Sequence, residues 1–234
     1  MIRIPAISPD NLIVSHSTEA GYPPVDKEII RTVLGDAAGA VLSADDSLRL
    51  LDAIGIARDK ALVATTIAEA KSAAIEIGYP VNMRSIDVHE PDRSETIEDI
   101  TDENTMRLEF KRLMQSSDVS GVTMSASMAG ARAYFGIRSR AKYGHLIICA
   151  AYPAQNNKPS EFVACTMPVT REGATEAFRL VKGDLQLSEV LFTDTLRRLS
   201  ALAAAAPQID SMDITPVVAS AQSVVAIEAS VSLK

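Results

Sequence analysis

GVTMSASMAGARAYFGIRSRAKYGHLIICA, residues 121–150, sets out a run of strands. Residues 121–127 and 131–137 are rich in β-branched and aromatic side chains, with Met128–Gly130 between them. HLIICAAY (145–152) is apolar without a break, the pattern of a strand buried on both faces. Outward from this stretch the period changes. Upstream, Ile29, Ile30, Val33 and Leu34 begin a helical pattern. Ser43 with Asp45 and Asp46 then precedes Leu48, Leu50, Leu51 and Ile54, an N-capped amphipathic helix ended by Gly55. ALVAT (61–65) is a short strand, and Thr66 caps IAEAKSAAIEI, which Gly78 stops. Asp102 caps a helix carrying Met106, Phe110 and Leu113. Downstream, FVACTMPV is extended, and REGATEAFRLV and SEVLFTDTLRRLSALAAAA are helical. SMDITPVVA and SVVAIEASVSL close the chain as a β-pair. The alternation predicts an α/β protein. Pro5, Pro9, Pro23 and Pro24 mark the first residues as an extended arm, so the expected division is 1–26, 27–118 and 119–234.

Composition narrows the function classes. The chain has 234 residues, 47% of them hydrophobic and 23% charged, as in an ordinary globular protein. A net charge of -7 argues against a nucleic-acid partner, because phosphate binding needs a dense basic face. No apolar run approaches the roughly 20 residues that span a bilayer. MIRIPAISPD has no apolar stretch behind a basic start, so no secretory signal is expected. Cys149 and Cys165 are the only cysteines, too few for a disulfide framework or a structural zinc site. A reducing, cytoplasmic setting is the expectation.

Five stretches, in order, resemble the ATP-grasp subunit of ADP-forming acyl-CoA synthetases, relatives of the succinyl-CoA synthetase β subunit. They are ADDSLRLLDAIGIARDKALVATTIAEAKSAAIEIGYPV (44–81), the opening 121–150 segment, MPVTREGATEAFRLVKG (167–183), SMDITPVV (211–218) and SVVAIEASVSL (223–233). The resemblance implies an ATP-grasp fold of two α/β subdomains. It also implies Mg-ATP or Mg-ADP as cofactor, a CoA-binding α subunit as partner, and an oligomeric ligase complex. Two Mg²⁺ ligands would lie on the closing strands, where Thr215 stands for the Asn of the family's "DINP" and Glu228 for the Asp of "VDAR". Arg84 is the cation nearest the family's nucleotide-facing lysine, and His89 falls in the place of its phosphate-relay histidine.

Several positions depart from the family pattern. Ser94 and Glu95 replace glycines after His89, and the "FGLGG" loop is CAAYP (149–153). Asn157 replaces a carboxylate, Arg132 replaces the Glu of "GGVE", and Arg140 replaces the Asp of "RDPQFG". Together they point to a degenerate ATP site. Two expectations follow: a ligase subunit using His89, Arg84 and Glu228, or a non-catalytic scaffold that keeps the fold to hold a partner. Arg132, Arg138 and Arg140, at strand spacing, share one face, either a solvated basic face or an anion or partner contact. His16 and His145 lack companions at metal-ligand spacing, Cys149 reads as core, and Met106, Met114, Met124 and Met128 read as core filler.

Overall fold

The computed structural model describes residues 4, 7–15, 21–37, 39–87, 94–128, 130–152, 161–183, 187–219 and 223–234. The chain divides into two compact units: Met1–Arg58 with Ala129–Lys234, and Asp59–Met128.

Among its described residues, the smaller unit is a four-stranded sheet with two helices. Strands β3 (Leu62–Ala64), β4 (Val81–Asp87), β5 (Thr96–Ile100) and β6 (Val119–Ala126) lie in the order β3-β6-β4-β5; β1 (Leu12–Ile13) and β2 (Ala57–Arg58) belong to the larger unit. Helices α3 (Ile67–Ile77) and α4 (Glu103–Leu113) pack on one face. Local chemistry fixes their starts. Thr66 and Glu69 form a reciprocal capping box, and the Asp102 carboxylate accepts from the backbone of Asn104 and Thr105. Alternate strand residues Val81, Met83, Val122 and Met124 are buried with Met106, Phe110 and Leu113 of α4. The intervening positions, Arg84 and Thr123 among them, take the other face of the sheet.

The larger unit is built on an eight-stranded sheet among the described residues. Its path is β1 (Leu12–Ile13), β9 (Val163–Thr166), β8 (Gly144–Tyr152), β7 (Ala131–Arg140), β10 (Ile209–Ala219), β11 (Val224–Ala226) and β2 (Ala57–Arg58), with β12 (Ala229–Leu233) also paired to β10. Helices α5 (Arg171–Lys182) and α6 (Glu189–Ala205) cover the face carrying Ala133, Phe135 and Ile137. Phe192 of α6 sits 4.7 Å from Phe135 and 5.4 Å from Phe178, ring centre to ring centre. As the unbroken apolar run predicts, Leu146–Ala151 of β8 is buried throughout. The amino-terminal arm contributes an edge strand, with Leu12 and Ile13 paired in parallel to Ala164 and Cys165.

Two features differ from the sequence expectation. Residues 27–58 join the carboxy-terminal body rather than the segment that follows them. Helices α1 (Lys27–Gly35) and α2 (Ala44–Asp52) share that body's core through Ile30, Val33, Leu50 and Leu51. The Leu42 amide donates to the Val231 carbonyl at 3.0 Å, and Ala57 pairs with Val225. At the other end, residues 119–128 belong to the smaller unit, because β6 pairs with both β3 and β4. The division thus falls at residues 58/59 and 128/129 rather than at 118/119. Strands 121–127 and 131–137, neighbours in sequence, lie in different sheets.

Asp59, the first residue of the smaller unit, is buried. Its Oδ2 has no partner among the described residues. Burial raises its carboxyl above the ordinary value, only partly opposed by bonds from the Ala126 amide, the Ser125 hydroxyl and the Lys60 amide. A raised folded-state value means that Asp59's contribution to stability is fully present below the unfolded carboxyl's range and is lost as pH rises through the raised value. Asp59→Asn should therefore gain on the wild type, by urea midpoint, as pH rises from about 4 to about 7. A difference that shrinks over that range contradicts the assignment. Thr66→Ala, which removes the capping box, should lower stability by about 1 kcal/mol in the same assay.

Candidate functional site

The face of the large sheet opposite α5 and α6 holds a buried ion pair, Arg138–Asp213. Arg132, Tyr134, Gly136, Arg138 and Arg140 alternate onto it from β7, and Asp213 of β10 lies directly opposite Gly136. The Tyr134 hydroxyl donates to Asp213 Oδ1 at 2.7 Å, and Arg138 Nη2 donates to the same oxygen at 2.5 Å. Arg138 Nη1 donates to the carbonyls of Ile137 at 2.8 Å and Met212 at 3.0 Å. Arg138 and Asp213 are only 6% and 4% exposed, so this is an interior ion pair and not a surface one.

Gly136 makes the arrangement sterically feasible. A Cβ there would lie 2.7 Å from the Met212 carbonyl oxygen and 2.8 Å from Tyr134 Cζ, and would overlap the hydroxyl itself. Phe162 packs edge-on against the Tyr134 ring with centroids 5.3 Å apart. Burial, and then the Asp213 charge, hold the Tyr134 hydroxyl well above its usual titration range, so it remains a proton donor to Asp213. Asp213 Oδ2 is buried and has no partner among the described residues.

The two metal candidates are brought together. The Thr215 amide donates to the Glu228 carbonyl at 3.1 Å, just before β12 begins. Glu228 is exposed and Thr215 half-buried. The basic face, by contrast, is split. Arg132 and Arg140 are exposed at opposite ends of β7, while Arg138 between them is buried against Asp213, so the three do not form one solvated surface. Arg84 is half-buried on β4, directly opposite Thr96 and Thr123. His89, His16 and Asn157 lie outside the described residues. Glu95 is not a charge left facing an anion: its carboxylate takes Arg112 Nη1 at 3.1 Å and Nη2 at 2.6 Å, and that pairing holds it below the usual carboxylate range. His145 Nε2 meets the Ile209 carbonyl oxygen at 2.7 Å, a structural contact, and Cys149 is fully buried. Burial pushes the Cys149 thiol up, and it pushes the neighbouring Cys165 to about 12.

Residues 34–233 match the family model described as ATP-grasp domain. The chain belongs to the ATP-grasp family. Acetate–CoA ligase [ADP-forming] II of Archaeoglobus fulgidus is 28% identical over 142 residues, 59% of this chain. The chain spans about a fifth of the length of that curated relative, the aligned share being 21%. Dinucleotide-forming acetyl-coenzyme A synthetase 1 of Ca. Korarchaeum cryptofilum, solved in complex with coenzyme A and Ca-AMPCP, superposes with a TM-score of 0.71 at 16% identity. That superposition covers 89% of this chain and 100% of that one. A protein of Pyrococcus horikoshii superposes with a TM-score of 0.67 at 18% identity, covering 89% and 98% of the two chains. These likenesses establish the ATP-grasp fold and a relation to ADP-forming acyl-CoA synthetases.

The magnesium pair implied by the family does not fit the donors present. Glu228 offers one carboxylate and Thr215 a neutral hydroxyl, whereas Mg²⁺ favours carboxylates in a near-octahedral oxygen shell. Asp213, two residues before Thr215, has Oδ1 already engaged by a guanidinium and a phenol. Among the described residues no three His, Cys, Asp or Glu side chains come together as a metal site.

Sequence reasoning singled out Arg138 but not its partners. The signal was present as R-x-Y-x-G-x-R, one face of a strand on which a single glycine leaves room for a tyrosine beside an arginine. Gly136→Ala should destabilise the protein by about 3 kcal/mol, at the upper end of the overpacking range. Urea unfolding with a midpoint within error of wild type would show that Tyr134 does not cross this position.

Proposed function

We propose that this chain is the ATP-grasp component of an acid–thiol ligase assembly of the ADP-forming acyl-CoA synthetase type. In this reading its own nucleotide site is degenerate, and its retained role is to bind and stabilise a CoA-binding α subunit. The observation that carries the proposal is the mismatch between fold and donors. The body superposes on the whole of an acetyl-CoA synthetase chain, yet the closing strands supply one carboxylate and one hydroxyl where a metal pair is implied. A fold kept without its metal chemistry is what partner binding alone would retain.

A second reading keeps the chemistry. His89 would accept phosphate, Arg84, Arg132 and Arg140 would contact the nucleotide, and Glu228 with Thr215 would hold Mg²⁺. One observation favours it: the Thr215–Glu228 backbone bond holds both positions side by side. In this reading Mg²⁺ would neutralise phosphate charge, as it does in phosphoryl-transfer enzymes generally.

Co-expression with a CoA-binding α subunit of the same genome, followed by native mass spectrometry and calorimetry, separates the two. A stable heteromeric complex whose Mg-ATP affinity is weaker than about 1 mM is the expected result. A complex that binds Mg-ATP in the micromolar range, loses that binding on Arg84→Ala and forms a phosphoprotein that His89→Ala abolishes supports the catalytic reading. A chain that stays alone with every α subunit tried overturns the partner role.

A further inference from the structure

We infer that Arg138 is the resident cation of the polar face of the large sheet, and that by occupying Asp213 it excludes a divalent cation from the Asp213–Thr215–Glu228 strip. It leaves the partner-binding reading untouched and opposes the second reading, which needs Mg²⁺ at Thr215 and Glu228.

Four observations converge on it. First, the carboxylate best placed by burial to bind a cation tightly, Asp213, is already charge-neutralised inside the protein. Second, the guanidinium is held from three sides. The carbonyls of Ile137 and Met212 fix Nη1, and Asp213 takes Nη2, so the group cannot swing away without leaving buried acceptors unmet. Third, Tyr134 adds a neutral donor to the same carboxylate oxygen, lowering its capacity to coordinate a metal. Fourth, Gly136 provides the space that brings tyrosine and arginine together over a residue directly opposite. A divalent ion at this strip would have to sit beside a fixed positive charge in a poorly screened setting, where like charges repel most strongly. It would also compete with a short, charge-assisted bond that is already made.

Asp213 Oδ2 gives the inference a second edge. It is buried and has no partner among the described residues. Removing the guanidinium leaves a carboxylate with Oδ2 unpartnered among the described residues and Oδ1 holding only the Tyr134 hydroxyl, two residues from Thr215 and directly opposite Ser230. Loss of Arg138 therefore converts the strip from a site that repels a divalent ion into one that attracts it.

Manganese serves as the probe, with bound ion counted by electron paramagnetic resonance. Wild-type protein should show no saturable Mn²⁺ site that is sensitive to Asp213→Asn or Glu228→Gln. Such a site in the wild type overturns the inference, whereas Mn²⁺ binding indifferent to both substitutions lies elsewhere and agrees with it. Arg138→Gln should bind Mn²⁺ at least about tenfold more tightly than wild type, with the gain abolished by adding Asp213→Asn; tenfold is one decade in the dissociation constant. A folded Arg138→Gln protein, judged by near-UV circular dichroism, that binds no better than wild type contradicts it. Should that variant not fold, the wild-type measurement decides alone. Capture of the α subunit is read independently of Mn²⁺ binding, so failure here is distinguishable from failure of the proposed partner role.

Discussion

The Arg138–Asp213 ion pair is the constraint around which the large sheet's polar face is arranged. It joins β7 to β10, the two strands at the centre of that sheet, across 75 residues of sequence. A buried ion pair is costly to assemble because both ions lose their water, and it persists only where further hydrogen bonds complete its geometry. Here the Ile137 and Met212 carbonyls, the Tyr134 hydroxyl and the missing side chain at Gly136 complete it. Removing one partner of such a pair typically costs about 3–5 kcal/mol, because the other charge is left stranded. The pair thus couples the packing of the sheet to its electrostatics: the same contact that sets how β7 and β10 meet also determines which ions the surface accepts.

This coupling bears on how an ATP-grasp body can lose nucleotide chemistry and keep its architecture. The face covered by α5 and α6 rests on apolar packing, Phe135 against Phe192 and Phe192 against Phe178, which is indifferent to polar changes on the other side. Outside the Arg138–Asp213 pair, the polar face can change its donors residue by residue without loosening the core. Thr215 and Glu228 remain adjacent through a main-chain bond that does not depend on their side chains. Their proximity is therefore a property of the strands, and metal chemistry there rests on side chains that the strands do not constrain.

Much of the local structure was legible in the sequence because its causes act over a few residues. Ser43, Thr66 and Asp102 each cap the helix expected of them, since a capping oxygen reaches only amides two or three positions ahead. The buried run of β8 was legible because an unbroken apolar stretch is the usual pattern of a strand covered on both faces. What was not legible is non-local. Nothing in residues 121–137 says that β6 pairs within one sheet and β7 within another, because partner choice is made by strands far away in sequence, Ala131 pairing with Ala219. Arg138 looked like its exposed neighbours Arg132 and Arg140 because spacing alone reports the face and not the depth. Its depth comes from Asp213 and from the space over Gly136, both of which require the folded sheet. The catalytic candidates were legible only through family resemblance, and His89 lies outside the described residues.

On this sheet the chain's own guanidinium holds the place of a cation. Crystals soaked in manganese chloride, with diffraction recorded at a wavelength where manganese scatters anomalously, test it most directly. No anomalous peak is expected within coordination distance of Asp213, Thr215 or Glu228, and Arg138 should remain in unbroken contact with Asp213. A manganese peak bridging Asp213 and Glu228, with Arg138 displaced, would contradict it.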